Sequence, residues 1–144
     1  MICYFDTSAL LKLLVDEPDA QHVRGVYRDA RSVCTHGIAY VEILAGLGKA
    51  ERMGRIPDQL MPRLLEQVDR LWAQIDVVQL DEMMSRRAGQ LALRHDLRAF
   101  DAVHLAAAER AFGVVGRRSR YRLVATDKRM RAGARALGIE VAPD

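Results

Sequence analysis

Residues 2–10 read Ile2-Cys3-Tyr4-Phe5-Asp6-Thr7-Ser8-Ala9-Leu10. Four apolar strand formers stop at an aspartate, and two hydroxyl residues follow before the alanine and leucine. That order predicts a short buried strand turning directly into a helix. Ala9, Leu10, Leu11, Leu13 and Leu14 give the helix a broad apolar face, and Glu17-Pro18-Asp19 breaks it.

The same alternation continues along the chain. A second helix is expected from Asp19 to Ala30, with His22, Val23 and Val26 inward, and a short strand over Arg31 to Thr35. From Gly37, Ile38, Val41, Ile43, Leu44 and Leu47 recur near the 3.6-residue period and predict a helix reaching Gly54. Pro57 can start the next helix, with Leu60, Leu64, Leu65, Val68, Leu71 and Trp72 as its buried stripe. Ile75 to Leu80 reads as a third strand. Asp81 can cap a helix carrying Met84, Ala88, Leu91 and Leu93, interrupted at His95 to Arg98. Phe100 to Phe112 is an alanine-rich helix, and Gly113 to Arg120 a polar connector. Leu123 to Thr126 is a strand ending at Asp127, and a helix from Lys128 to Leu137 stops at Gly138 before a last strand, Ile139 to Ala142. Strands alternating with helices predict an α/β fold with a mainly parallel sheet covered on both sides.

The chain has 144 residues, half of them hydrophobic and 28% charged. These values fit one soluble globular domain over 1–144 and exclude a disordered or collagenous chain. No apolar run reaches the roughly 20 residues of a membrane span. The apolar segment at Ile2 has no basic region before it, so no signal peptide is expected. Cys3 and Cys34 are too few for a disulfide framework, which makes a reducing cytoplasm the expected compartment. Net charge is +3, and three of the 22 basic residues are lysines, leaving 19 arginines. Arginine's planar fork suits phosphate, although net charge alone is weak support for a polyanionic partner.

The acids carry more information. Asp6 and Asp127 each end a predicted strand, so both face the sheet edge where open α/β folds bind ligands. Either alone could merely cap the next helix. Glu42 and Asp101 sit in apolar helical surroundings, AYVEILAGL and AFDAVHLAAA. Asp101 could be an ordinary first-turn acid and Glu42 a solvated one. Four acids near one edge would raise each other's pKa values, and a hard cation such as Mg2+ or Mn2+ resolves that conflict. A carboxylate-bound cation beside arginines suits phosphodiester hydrolysis.

Phe5-Asp6-Thr7-Ser8-Ala9-Leu10, Tyr40-Val41-Glu42-Ile43, Phe100-Asp101-Ala102-Val103-His104-Leu105-Ala106 and Thr126-Asp127-Lys128-Arg129 occur in that order. Together they resemble a PIN-domain ribonuclease, and more narrowly the VapC-type toxins of type II toxin–antitoxin pairs. The resemblance spans essentially the whole chain. It implies a PIN-like three-layer α/β/α sandwich and an acidic Mg2+ or Mn2+ site that cuts RNA. It also implies a small VapB-type antitoxin that blocks the site, and a homodimer. Carried over by position, Asp6, Glu42 and Asp101 match the central acids, Asp127 a more variable fourth, and Ser8 a hydroxyl supporting Asp6. On this reading Asp6 and Asp101 hold the main ion, and Glu42 and Asp127 orient water or hold a second one.

Arg117, Arg118, Arg120, Arg122, Arg129 and Arg131 flank Asp127 and are candidates to hold an RNA backbone. A solvated helix face plus a charged loop is the plainer reading. His104 shares a helix face with Asp101 and is expected to pack or hydrogen-bond, because a hard cation gains little from imidazole. His22, His36 and His95 lack zinc spacing. Met53, Met61, Leu64 and Trp72 are core or a partner groove. An RNA-maturation nuclease without an antitoxin and a non-catalytic RNA-binding or scaffold module stay open. A haloacid dehalogenase-like phosphatase would need a second aspartate where Ser8 stands. A response-regulator-like domain would leave Glu42 and Asp101 without a role.

Overall fold

The computed structural model describes residues 1–115 and 120–143. Among them are five strands and seven α-helices. In chain order these are β1 (Ile2–Phe5), α1 (Thr7–Leu14), α2 (Ala20–Asp29), β2 (Ser32–His36), α3 (Ile38–Arg52), α4 (Met61–Trp72), β3 (Asp76–Val78), α5 (Glu82–His95), α6 (Ala99–Val115), β4 (Tyr121–Val124), α7 (Lys128–Ala136) and β5 (Glu140–Ala142). A 3-10 turn at Asp58–Leu60 precedes α4.

All four strand pairings are parallel, in the order β3-β2-β1-β4-β5. The chain builds outward from β1 on one side, then crosses back to place β4 on the other. Right-handed crossovers made in opposite directions put their helices on opposite faces. One core accordingly holds Leu10, Val23, Ile43, Leu47 and Val68 from α1 to α4. The other holds Met84, Leu91, Leu105, Phe112 and Met130 from α5, α6 and α7. Consecutive strand residues serve the two cores in turn: Cys3 and Phe5 belong to the first, Tyr4 to the second. Each fully buried Leu, Ile or Met contributes about 1.5–3 kcal/mol, and both cores are needed to bury a sheet that is apolar on both sides. The expected three-layer α/β/α arrangement is the one observed.

Several local expectations change. Helix α6 runs on through Gly113 to Val115, where a connector was expected; the rest of that connector includes 116–119, outside the described residues. The third strand is three residues long, and Leu80 beyond it is exposed. Val41 lies off the buried row Ala39, Ile43 and Leu47, and Leu93 off the row Met84, Ala88 and Leu91; both face solvent, Leu93 at 90%. Leu60, Leu65 and Met53 are exposed as well, and His22 faces out while Val23 is buried. Periodicity alone assigns such near-periodic apolar residues to the core, but their angle around the helix points them away. No helix among the described residues is long and apolar enough to cross a membrane.

Candidate active site

Strands β1 and β4 are neighbours where the strand order reverses. Chains leaving their carboxyl ends diverge to opposite faces, which opens a crevice. Here it is a cleft of about 650 Å³, lined by Asp6, Thr7, Ser8, Glu42, Arg98, Asp101, His104, Thr126, Asp127, Lys128 and Arg129, with Leu11 beside them. The four acids singled out in the sequence therefore line one cavity, although up to 121 residues separate them.

Each acid arrives by a different device. Asp6 caps α1: its Oδ1 accepts the Ala9 N–H at 2.8 Å. Asp127 caps α7 in the same way, through the Met130 N–H at 2.9 Å. Asp101 stands in the first turn of α6, where the helix dipole favours it, and Arg98 Nε donates to its Oδ2 at 2.8 Å. Glu42 projects from α3, with Oε1 accepting from Thr7 Oγ1 at 2.8 Å and from His104 Nε2 at 2.9 Å. Glu42 Oε2 and Asp101 Oδ1 have no protein donor among the described residues. Ser8 does support Asp6, with Oγ 2.7 and 2.9 Å from its two oxygens. Thr126 Oγ1 donates in turn to Ser8 Oγ at 2.9 Å, which ties the end of β4 to the end of β1.

Beneath the cleft His104 is buried and fully bonded. The buried Tyr4 hydroxyl donates to its Nδ1 at 2.8 Å, so the network assigns the ring proton to Nε2, facing Glu42 and Thr7. Burial, and then the nearby Cys34 and Asp6, hold the Tyr4 hydroxyl well above its usual pKa, which keeps it a donor. His104 thus has the hydrogen-bonding role expected for it, and it fixes the direction of Glu42.

Charge is distributed unevenly. Asp6 is only 5% exposed, and its carboxyl is pushed up to about 6. Burial is the main cause; the Ala9 N–H, His104 and Ser8 oppose it, and the Asp101 charge adds to it. Glu42 feels burial too, but its hydrogen bonds from His104 and Thr7 prevail and hold it below the usual carboxylate value.

The expected basic rim divides. Lys128 and Arg129 line the cleft, and Arg129 pairs with Asp96 at 2.8 Å. Arg131 instead donates to the Pro143 carbonyl. Arg120 and Arg122 lie at the opposite end of the sheet: Arg122 is in register with Cys3 near the start of β1, and both arginines border a separate hollow with Met1, Arg135 and Glu140. A parallel strand carries its first residues to the edge away from the cleft, so nearness to Asp127 in sequence is misleading here. Arg117 and Arg118 lie outside the described residues. Sequence reasoning missed Arg98, Thr7 and Thr126. The available signal for Arg98 was its position one helical turn before Asp101.

The donor set, carboxylate and hydroxyl oxygens, is chemically suited to a hard cation such as Mg2+ or Mn2+. Among the described residues, however, no three His, Cys, Asp or Glu side chains stand together so as to hold an ion. The acids share the cleft without converging, and Arg98 reaches between two of them.

The family model for the PIN domain matches residues 3–136. The chain is 32% identical over 142 residues to ribonuclease VapC49 of Mycobacterium tuberculosis, covering 99% of this chain and 95% of that one. Among solved structures, M. tuberculosis VapC20, described as a sarcin-ricin loop cleaving toxin, aligns with a TM-score of 0.66 at 18% identity, over 90% of this chain and 93% of that one. A toxin–antitoxin complex from Klebsiella pneumoniae aligns with a TM-score of 0.64, also at 18% identity, over 98% and 96%.

Proposed function

Because this chain belongs to the PIN-domain family, we propose that residues 1–144 form a single domain acting as a divalent-metal-dependent endoribonuclease, the toxin of a type II toxin–antitoxin pair. The carrying observation is that Asp6, Glu42, Asp101 and Asp127 line one cleft at the switch point, with one oxygen of Glu42 and one of Asp101 free of protein donors among the described residues. The VapC ribonucleases to which it is similar support the substrate class, and the toxin–antitoxin complex with the same fold supports an antitoxin partner. A cytoplasmic setting and a homodimer belong to the same reading.

Asp6 and Asp101 would hold the ion, with Glu42 and Asp127 close by. A bound Mg2+ or Mn2+ would supply a lowered water pKa and neutralise charge on the phosphate. The chain's own contribution is positioning. Ser8 and the Ala9 N–H fix Asp6, and His104 with Thr7 fixes Glu42, so that carboxylate can orient an attacking water. Lys128 and Arg129 offer positive charge to the RNA backbone at the cleft mouth.

Purified protein should cut RNA with Mg2+ or Mn2+ and stop with EDTA. Its products should carry 5′-phosphate and 3′-hydroxyl ends. A single 2′-deoxy sugar at the cut site should leave cleavage intact; complete resistance would instead assign the attack to the 2′-hydroxyl. Sequencing RNA ends after brief induction of wild type and of Asp6→Asn would identify the target.

A further inference from the structure

Arg98 is the one arginine or lysine in ion-pair contact with the cleft's acids among the described residues. It stands in the turn between α5 and α6, after Asp96, whose φ is +51°, and after the buried Leu97. Its side chain is 78% exposed, yet it bends back over the cleft. Nε donates to Asp101 Oδ2 at 2.8 Å, and a terminal nitrogen stands 3.7 Å from Asp127 Oδ2. One guanidinium therefore spans an acid from α6 and an acid from α7.

The atoms it faces matter. Asp127 Oδ1 is already committed to the Met130 N–H, so Oδ2 is the oxygen left to serve the cleft. Arg98 stands against that oxygen and bonds one of the two on Asp101. A doubly charged ion drawing on the same oxygens would meet a fixed positive charge within a few ångströms, and the two cannot share them cheaply. The contact is also built to open. Arg87 grips Glu109 with two bonds of 2.6 Å, both partners only about a third exposed, and so fastens α5 to α6. Arg98 makes one bond and one longer approach from an exposed side chain, so releasing it to water costs little.

We propose that Arg98 is a built-in counter-ion: it occupies the Asp101–Asp127 side of the cleft in the metal-free protein, and a divalent cation must displace it to bind. The inference rests on the cleft being a divalent-cation site. It places one cation within ion-pair reach of both Asp101 Oδ2 and Asp127 Oδ2. It also makes the ion's apparent affinity a difference between two occupants of the same oxygens.

The test is direct Mn2+ binding, by calorimetry or by electron paramagnetic resonance of the free ion, to metal-free wild type, Arg98→Gln and Lys128→Gln. Lys128 lines the same cleft without an ion pair to either carboxylate among the described residues, so its variant reports the effect of losing one nearby charge. Arg98→Gln should bind Mn2+ roughly two- to fivefold more tightly than wild type, the range an exposed ion pair is worth, and Lys128→Gln should gain less. In wild type, Mg2+ should also shift the Arg98 Nε–H resonance and speed its exchange with water. An Arg98→Gln affinity no tighter than that of Lys128→Gln, or an Arg98 resonance unmoved at saturating Mg2+, overturns the counter-ion. If neither wild type nor Arg98→Gln binds Mn2+ at millimolar concentration, the cation site itself is wrong and the counter-ion goes with it.

Discussion

The two edges of the sheet differ in charge: four acids and three bases line the cleft at one, while three arginines and Glu140 border the hollow at the other. At the carboxyl edge Asp6 and Asp127 follow β1 and β4; at the amino edge Arg120, Arg122 and Arg135 gather beside Met1. Much of this sorting is ordinary electrostatics. Helices α1, α6 and α7 begin at the carboxyl edge, and their dipoles favour acids there. Asp81 shows what a purely structural acid looks like: it caps α5, takes a fork from Arg110, and its carboxyl is pulled down to about 2. Asp6 caps a helix just as well, yet stands near 6. A cap alone therefore does not set an acid's charge cost: burial does, and it separates Asp6 from Asp81.

The sharpest way to break this contrast is to neutralise acids at the cleft. Asp6→Asn and Asp101→Asn should each lower RNA cleavage roughly 100-fold or more, as losses around a metal site do; cleavage at the wild-type rate by either variant, measured free of contaminating nuclease, would remove the site. The same Asp6→Asn change should raise stability in metal-free protein, because asparagine can still accept the Ala9 N–H. The folded carboxyl is raised from 3.8 to about 6, so wild type loses stability as pH climbs through that window. Asparagine escapes the loss, worth up to about 3 kcal/mol at pH 7. Urea melts of both proteins at pH 4 and pH 7 should show the gap opening with pH, and a constant gap would contradict the charge argument.

A smaller effect separates capping from chemistry at Asp127. Asp127→Ala should cost about 1 kcal/mol of stability, whereas Asp127→Asn should keep most of it. Both should cut more slowly than wild type. If Asp127→Asn cuts normally, Asp127 is a cap and no more. The smallest effect belongs to the other edge: Arg120→Gln with Arg122→Gln should leave the cleavage rate within about twofold, since rim charges away from a contact act mainly through a screened field. A large drop would bring the amino edge into the RNA path.

The fold was legible because its strands are short, apolar and punctuated. Ile2 to Phe5 ending at Asp6, and Leu123 and Val124 leading to Asp127, mark the cleft edge in the sequence itself. Helix faces were less legible: Val41 and Leu93 are apolar but lie off their buried rows, and only packing decides that. Of the cleft, the acids and Ser8 could be named from motif and order. Thr7's bond to Glu42 and Arg98's approach to Asp127 could not, because those partners lie 35 and 29 residues away in sequence; only Arg98's place one turn before Asp101 was readable. The arginines near Asp127 misled for the converse reason: β4 carries neighbours in sequence to opposite ends of the molecule.

Gly133 has a consequence beyond its own helix. A β-carbon built there would come within 3.0 Å of Leu105 and 3.5 Å of the His95 ring, so α7 lies on α6 and the end of α5 as closely as it does because no side chain intervenes. Those two helices carry Asp127 and Asp101 at their near ends. The close approach of the two helices is thus permitted by a missing methyl about two turns down α7 from Asp127. An alanine there would make Leu105 give by a few tenths of an ångström, a strain laid on the α6–α7 contact without touching either acid.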